Sequence, residues 1–315
     1  MTQKTVTLSK SEKQHPGHSI LIKLEAYRKK KCTQLRIIFY CCVTTICFCW
    51  ITSAQKNDFE PAILVSLLGI FTYCMVFSIF YGKYIKRIRK TFLPKFIQGL
   101  WPNADYSPYK GITLAEFEVS QIFPYKADNV ISENLVEAQV QKTKIRLSSV
   151  VATYQPYGAK GSATIFNGLF LIADFNKHTK GRTYVLPDNA ERLFGKPGQE
   201  AQALSKWHGE LVKTEDPEFE KIFVVYSTDQ VEARYILSPS LMRNLTEFHK
   251  EIKEPIYVSF IDGTMYLGVS NRSLIRNISL STPLSTNDST TLFADLISLD
   301  KLIEGSLTSR IWTKE

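Results

Sequence analysis

Two stretches of the chain, 37–55 and 61–82, contain no charged residue. Each meets the roughly 20 apolar residues that a helix needs to cross about 30 Å of hydrocarbon. Thr44, Thr45, Thr52 and Ser53 make the first run the less apolar, but hydroxyls of this kind can bond back to the carbonyls of their own helix. The pattern predicts two transmembrane helices, 37–55 and 61–82, joined by a short external loop over 56–60. Past the second run, Tyr84, Ile85, Ile88 and Phe92 alternate with basic residues up to Pro94. That spacing predicts a basic amphipathic helix over 83–101, leaving the membrane along its surface. Residues 1–36 read as a basic, partly disordered segment with one short apolar strip at Ile20, Leu24 and Tyr27.

From Pro102 onward the period changes. Thr113-x-x-Glu116 has the form of a capping box. Segments 135–140, 145–154, 164–174 and 183–186 alternate, are rich in β-branched residues, and read as an antiparallel meander with a turn at Gly158 and Gly161. A helix is expected over 190–194, a buried strand over 221–226, and a short helix opened by Thr228 or Asp229 with Glu232 completing a second capping box. Ser238-Pro239 opens a helix with Leu241, Leu245, Phe248 and Ile252 on one face. Strands at 256–261 and 264–269 flank Asp262-Gly263, a strong hairpin signal. A last helix is expected over 292–302, after a polar stretch at 281–290. The expected fold class is α+β: a two-helix transmembrane hairpin, then a mostly antiparallel cytoplasmic α+β domain over 102–315, in an order that permits two subdomains.

Charge sharpens the membrane reading. Residues 1–36 carry nine Lys/Arg against Glu12 and Glu25, residues 83–95 carry six basic residues and no acid, and residues 37–82 are one charge negative. Taken from the formal +9, these leave −3 for residues 96–315. Basic flanks on both sides of a nearly uncharged loop predict that both termini are cytoplasmic. Tyr40, Tyr81, Lys83, Lys86, Arg87, Arg89 and Lys90 would then lie at the inner membrane interface and Trp50 towards the outer one. A mildly acidic soluble part argues against nucleic acid as a partner. The absence of ionisable groups inside the spans argues for an anchor over a transporter. All six cysteines, from Cys32 to Cys74, lie in or beside the apolar runs, where they read as small helix residues and neither as disulfides nor as metal ligands. No metal and no cofactor is expected.

Particular runs carry a family likeness. They are Phe166-Asn167-Gly168-Leu169-Phe170, Ala173-Asp174-Phe175-Asn176-Lys177-His178, Lys180-Gly181-Arg182-Thr183 and Val185-Leu186-Pro187-Asp188. With them go the run from Glu215 to Lys221 and the run from Val225 to Leu237. Together they resemble the bacterial membrane-protein family catalogued as domain of unknown function 3137, from about Pro102 to the C-terminus. The resemblance implies a protein of the bacterial inner membrane and transfers no catalytic residues.

Two polar clusters are candidate sites. The denser comprises Asp229, Gln230, Glu232 and Arg234, flanked by Tyr226 and Tyr235; the second comprises Asp174, Asn176, Lys177, His178 and Arg182. The sharper reading is a binding or acid/base site with a carboxylate positioned by Arg234, but helix capping plus a structural ion pair already accounts for Asp229 and Glu232 and is the favoured reading. No nucleophile elbow, zinc-protease motif or dinucleotide fingerprint is present. The leading expectation is a binding or scaffold module that presents its domain to a protein or to an anionic lipid headgroup, with oligomerisation permitted. The alternatives are a membrane-tethered hydrolase using Asp229 and Glu232, and a bacterial effector inserted in host membranes.

Overall fold

The computed structural model of the chain describes residues 17–158, 160–175, 179–188, 207–275 and 294–306, with backbone alone for 17–21. They fall into two units, one ending at Gly99 and one beginning at Leu100.

The first unit is helical. Helix α1 (Gly17–Lys56) is one unbroken rod, longer than the separate segment and span expected from the pattern. The reason is local: between His18 and Lys56 there is neither proline nor glycine to stop it. Asn57, with φ of 54°, ends the helix, and the Asp58 carboxylate accepts the Glu60 N–H at 3.2 Å as α2 (Glu60–Arg87) opens with Pro61. Contacts between the two rods fall at pairs whose numbers run in opposite directions. Tyr27 meets Tyr84, Phe39 meets Tyr73, and the Trp50 indole donates to Ser66 Oγ at 3.0 Å. The hairpin is therefore antiparallel. At Gly69 a Cβ would come within 2.9 Å of the Ile46 side chain, so the rods approach closely there. Both rods, over Ile22–Lys56 and Glu60–Leu100, are long and apolar enough to cross a membrane. Phe48, Ile51, Leu64, Leu67, Leu68 and Phe71 are each more than 60% exposed. So large an apolar surface on a helix pair is the mark of membrane association.

Helix α2 runs through a π-turn (Ile88–Phe92) into α3 (Leu93–Leu100). Pro94 is the cause we assign. A proline ring clashes with the carbonyl four residues earlier, here that of Lys90, and widening the preceding turn relieves it without ending the helix.

The second unit is built on a nine-stranded sheet in the order β1-β2-β3-β4-β9-β8-β5-β7-β6, with every neighbouring pair antiparallel. The strands are β1 (Asp105–Ser107), β2 (Asn129–Val140), β3 (Thr143–Tyr154), β4 (Ala163–Asp174), β5 (Thr183–Pro187), β6 (Glu210–Val212), β7 (Phe223–Ser227), β8 (Ile256–Ile261) and β9 (Thr264–Ser270). Between them lie α4 (Leu114–Val119), α5 (Pro217–Glu220), α6 (Gln230–Ile236) and α7 (Pro239–Ile252), and α8 (Ala294–Ser306) follows.

This is the expected α+β class with one change of order. The meander stops at β4, because β9 takes the place beside β4 and β8 the place beside β5. The β8–β9 hairpin thus joins what would be two subdomains into one sheet. Its turn is as expected: Asp262 and Gly263 have φ of 48° and 73°, both positive as a two-residue type I′ turn requires. The capping box at Thr113 and Glu116 is also formed. The helix expected over 190–194 and the polar stretch 281–290 lie outside the described residues.

One face of the sheet carries Val150, Ala152, Phe166, Phe170, Tyr184, Tyr226, Tyr257 and Tyr266, covered by Ile112, Phe117 and Ile122 from α4 and its flanking loops. Phe117 centres an aromatic cluster, with Phe170 at 5.1 Å and Phe123 at 5.5 Å. Phe166 lies across Gly168 and Gly268; a Cβ on Gly168 would sit 2.0 Å from the Val269 carbonyl and 2.8 Å from the Phe166 ring. That close approach accounts for the glycine in the Phe166–Phe170 run. The opposite face is buried as well, since every residue of β5 and β8 is buried. The α7 apolar stripe lies among the buried residues, and His249 meets the Phe223 ring edge-on at 5.7 Å.

Candidate functional site

The denser polar cluster forms where β7 ends and α6 begins. Asp229 is the N-cap of α6, its Oδ1 accepting from Val231 N–H at 2.9 Å and Glu232 N–H at 3.0 Å. Glu232 does not fold back to complete a capping box. Its carboxylate reaches across to the 180–182 turn instead, accepting from the N–H of Lys180 at 3.0 Å and of Gly181 at 3.2 Å. Gly181 makes the approach feasible, because a Cβ there would stand 3.0 Å from Asp229 Cβ and 3.5 Å from Glu232 Oε1.

Arg182 ties the region together. Its N–H donates to Thr228 Oγ1 at 2.9 Å, its carbonyl accepts from Ser227 Oγ at 3.0 Å, and its Nη1 donates to Gln121 Oε1 at 2.8 Å. Gln121, at φ of 48°, sits on the loop after α4. Tyr184 lies beside it, and burial holds the Tyr184 hydroxyl above its ordinary pKa, with Arg182 pulling the other way. Gln230 donates to Glu210 Oε2 at 2.9 Å, linking α6 to the edge strand β6.

The expected cluster therefore separates. Asp229, Gln230 and Glu232 share the α6 N-terminus, Tyr226 is in the aromatic core, and Arg234 and Tyr235 lie on the exposed side of α6. Asp229 and Glu232 spend their carboxylates on backbone amides, which is what a cap and a loop clamp require. Of the second cluster, Asp174 ends β4 and Arg182 precedes β5, while Asn176, Lys177 and His178 lie outside the described residues. Among the described residues no group of three or more His, Cys, Asp or Glu could hold a metal ion.

A feature not anticipated from the sequence is the β6 edge. Among the described residues β6 pairs with β7 alone. A cavity of about 340 Å³ is lined by Trp207 and His208, just before β6, together with Phe123, Tyr125 and Lys126. A second, of about 500 Å³, is lined from Val212 to Pro217, just after it, with Arg234, Leu237 and Met242. Trp207, Leu211, Val231 and Tyr235 are exposed at 63, 49, 78 and 64%. Val231 and Tyr235 stand four apart on α6 and so share one helix face. Three residues of strand are too few to show a period, so this edge carries little signal of its own.

Two apolar membrane-length helices followed by an antiparallel α+β domain define the class of protein. Within that class, residues 164–305 match the model of the family described as Protein of unknown function (DUF3137). No curated protein matches the chain. Among solved structures, the crystal structure of the mycobacterial trehalose monomycolate transport factor A, TtfA, covers 72% of this chain and 99% of its own. The identity is 10% and the TM-score 0.32, a likeness too slight to argue from.

Proposed function

We propose that the protein is a membrane-anchored binding module of a bacterial inner membrane, holding its α+β domain at the cytoplasmic face for a protein partner. The basic flanks of the hairpin support that orientation, and the family likeness supports the setting. One observation carries the binding reading: the β6 edge, with Val231 and Tyr235 exposed beside it and a cavity at each end. An edge that has no second partner among the described residues, set between two cavities, is suited to an extended segment, whose main chain would bond to β6 while its side chains enter the cavities. Arg234 at the larger cavity would set the charge preference of that segment.

The test is affinity capture of the full-length protein from gently solubilised membranes, beside the variants Arg234→Ala and Val231→Asp/Tyr235→Ala. These side chains are exposed, so the fold should survive. A partner captured by the natural protein and lost from both variants is the expected result. A partner retained by both, or none at all, would overturn the assignment of this surface.

A further inference from the structure

The hairpin brings two cations from different helices to one aromatic ring. Tyr27 on α1 stacks on Tyr84 of α2, with ring centres 6.2 Å apart and planes 20° from parallel. Arg87, three residues after Tyr84, holds its guanidinium carbon 4.3 Å from the centre of the Tyr27 ring. Lys31, four residues after Tyr27, places its Nζ 5.9 Å from the same centre and 4.7 Å from that of Phe80. The ring quadrupoles hold both cations there.

A carboxylate would ordinarily neutralise such a pair, and among the described residues none is paired with either cation. Glu25 is taken up by Arg28, at 2.7 Å through each of its oxygens. No acid occurs over residues 26–57 or 61–100. Lys31 donates to Gln34 Oε1 at 3.1 Å, and among the described residues neither Lys31 nor Arg87 has an ion pair. Arg87 is exposed, and a guanidinium held over a ring without a carboxylate partner still has N–H groups to offer, which can grip a phosphate with two hydrogen bonds.

Depth argues for what fills it. Lys31 lies six residues before the first charge-free run and Arg87 five after the second. At about 1.5 Å per residue both sit roughly 8 Å beyond the hydrocarbon edge, within the headgroup layer. Lys29, Lys30, Lys83 and Lys86, all exposed, surround them with positive charge. A net negative headgroup fits this field, and a choline headgroup brings a cation into it. We propose that Arg87 and Lys31 form a clamp for the phosphate of an anionic phospholipid, with Tyr27 as the positioning residue. The proposal rests on the hairpin being a membrane anchor.

The full-length protein would be purified in mild detergent containing equal amounts of phosphatidylglycerol and phosphatidylcholine, and the retained lipid identified by headgroup. Phosphatidylglycerol should be enriched. Arg87→Gln and Lys31→Gln should each cut the enrichment about tenfold, the loss of one charge-assisted hydrogen bond to the phosphate. Tyr27→Leu, which keeps every charge, should also lower it, whereas Lys90→Gln, which removes an exposed charge of the same surface but no cation over these rings, should lower it clearly less than Arg87→Gln. Circular dichroism would check that each variant keeps its helix. No preference in the natural protein, or equal losses from Lys90→Gln and Arg87→Gln, overturns the clamp while leaving the anchor standing. A chain that stays soluble without detergent overturns the anchor and the clamp together.

Discussion

Asp300 on α8 accepts a hydrogen bond from the Trp101 indole at 2.6 Å, and burial raises its pKa while that bond lowers it, with burial the stronger. A raised native pKa means that the folded protein takes up this proton more readily than the unfolded chain. The charged form therefore costs stability at neutral pH, and the cost disappears as the pH falls through the native pKa. Asp300→Asn keeps an acceptor for the indole without the charge, so it should melt at or above the natural protein at pH 7. The gap should close as melts are repeated towards pH 4. Asp300→Ala, which leaves a buried indole N–H unpaired, should melt lower, by about 1–3 kcal/mol. The residue scale also shows what local reading can reach. Asp229 was legible as a cap because an N-cap is set by its own helix. Glu232 was not legible as a clamp on Lys180 and Gly181, because that partner lies some fifty residues away and only the fold brings it near.

Among the elements, those with a complete local signature were legible: the Asp262-Gly263 turn, the Ser238-Pro239 cap and the Thr113 capping box all form. The first half of β2 escaped notice because its alternation is broken. The register shifts between Glu133 and Val136, Asn134 has φ of 62°, and Ile131 is exposed. A bulge puts an extra residue into one strand, so side chains before and after it no longer share a period of two. Strand order was not legible either, since pairing β9 with β4 depends on contacts about a hundred residues apart. The β8–β9 hairpin therefore matters more than its length suggests, as it is the seam between β4 and β5. Gly263→Val places a β-branched residue at φ of 73° in that seam. It should destabilise the whole sheet by about 1–2 kcal/mol, read as one cooperative transition at lower temperature. Loss of β5–β7 ahead of the rest would mean that the sheet is not a single unit.

For the molecule as a whole, charge distribution supplied what side-chain pattern did not. The basic residues fall on both flanks of the hairpin, while its turn, between α1 and α2, carries Lys56 against Asp58 and Glu60. Moving the turn across a membrane costs far less than moving either flank, so the turn is expected outside and the sheet domain inside. The six native cysteines are free, half-buried or exposed, and engaged in no disulfide, so alanine can replace them with little disturbance. In that background, Asp58→Cys marks the turn and Tyr157→Cys marks the domain, at a side chain fully exposed on the β3–β4 loop. A membrane-impermeant maleimide added to intact spheroplasts should label Asp58→Cys at once and Tyr157→Cys only after the membrane is opened. The reverse pattern would place the β6 edge on the outer side, away from any cytoplasmic partner. It would also leave the Arg87 and Lys31 clamp facing the outer leaflet, so a single labelling experiment sets the side on which both surfaces work.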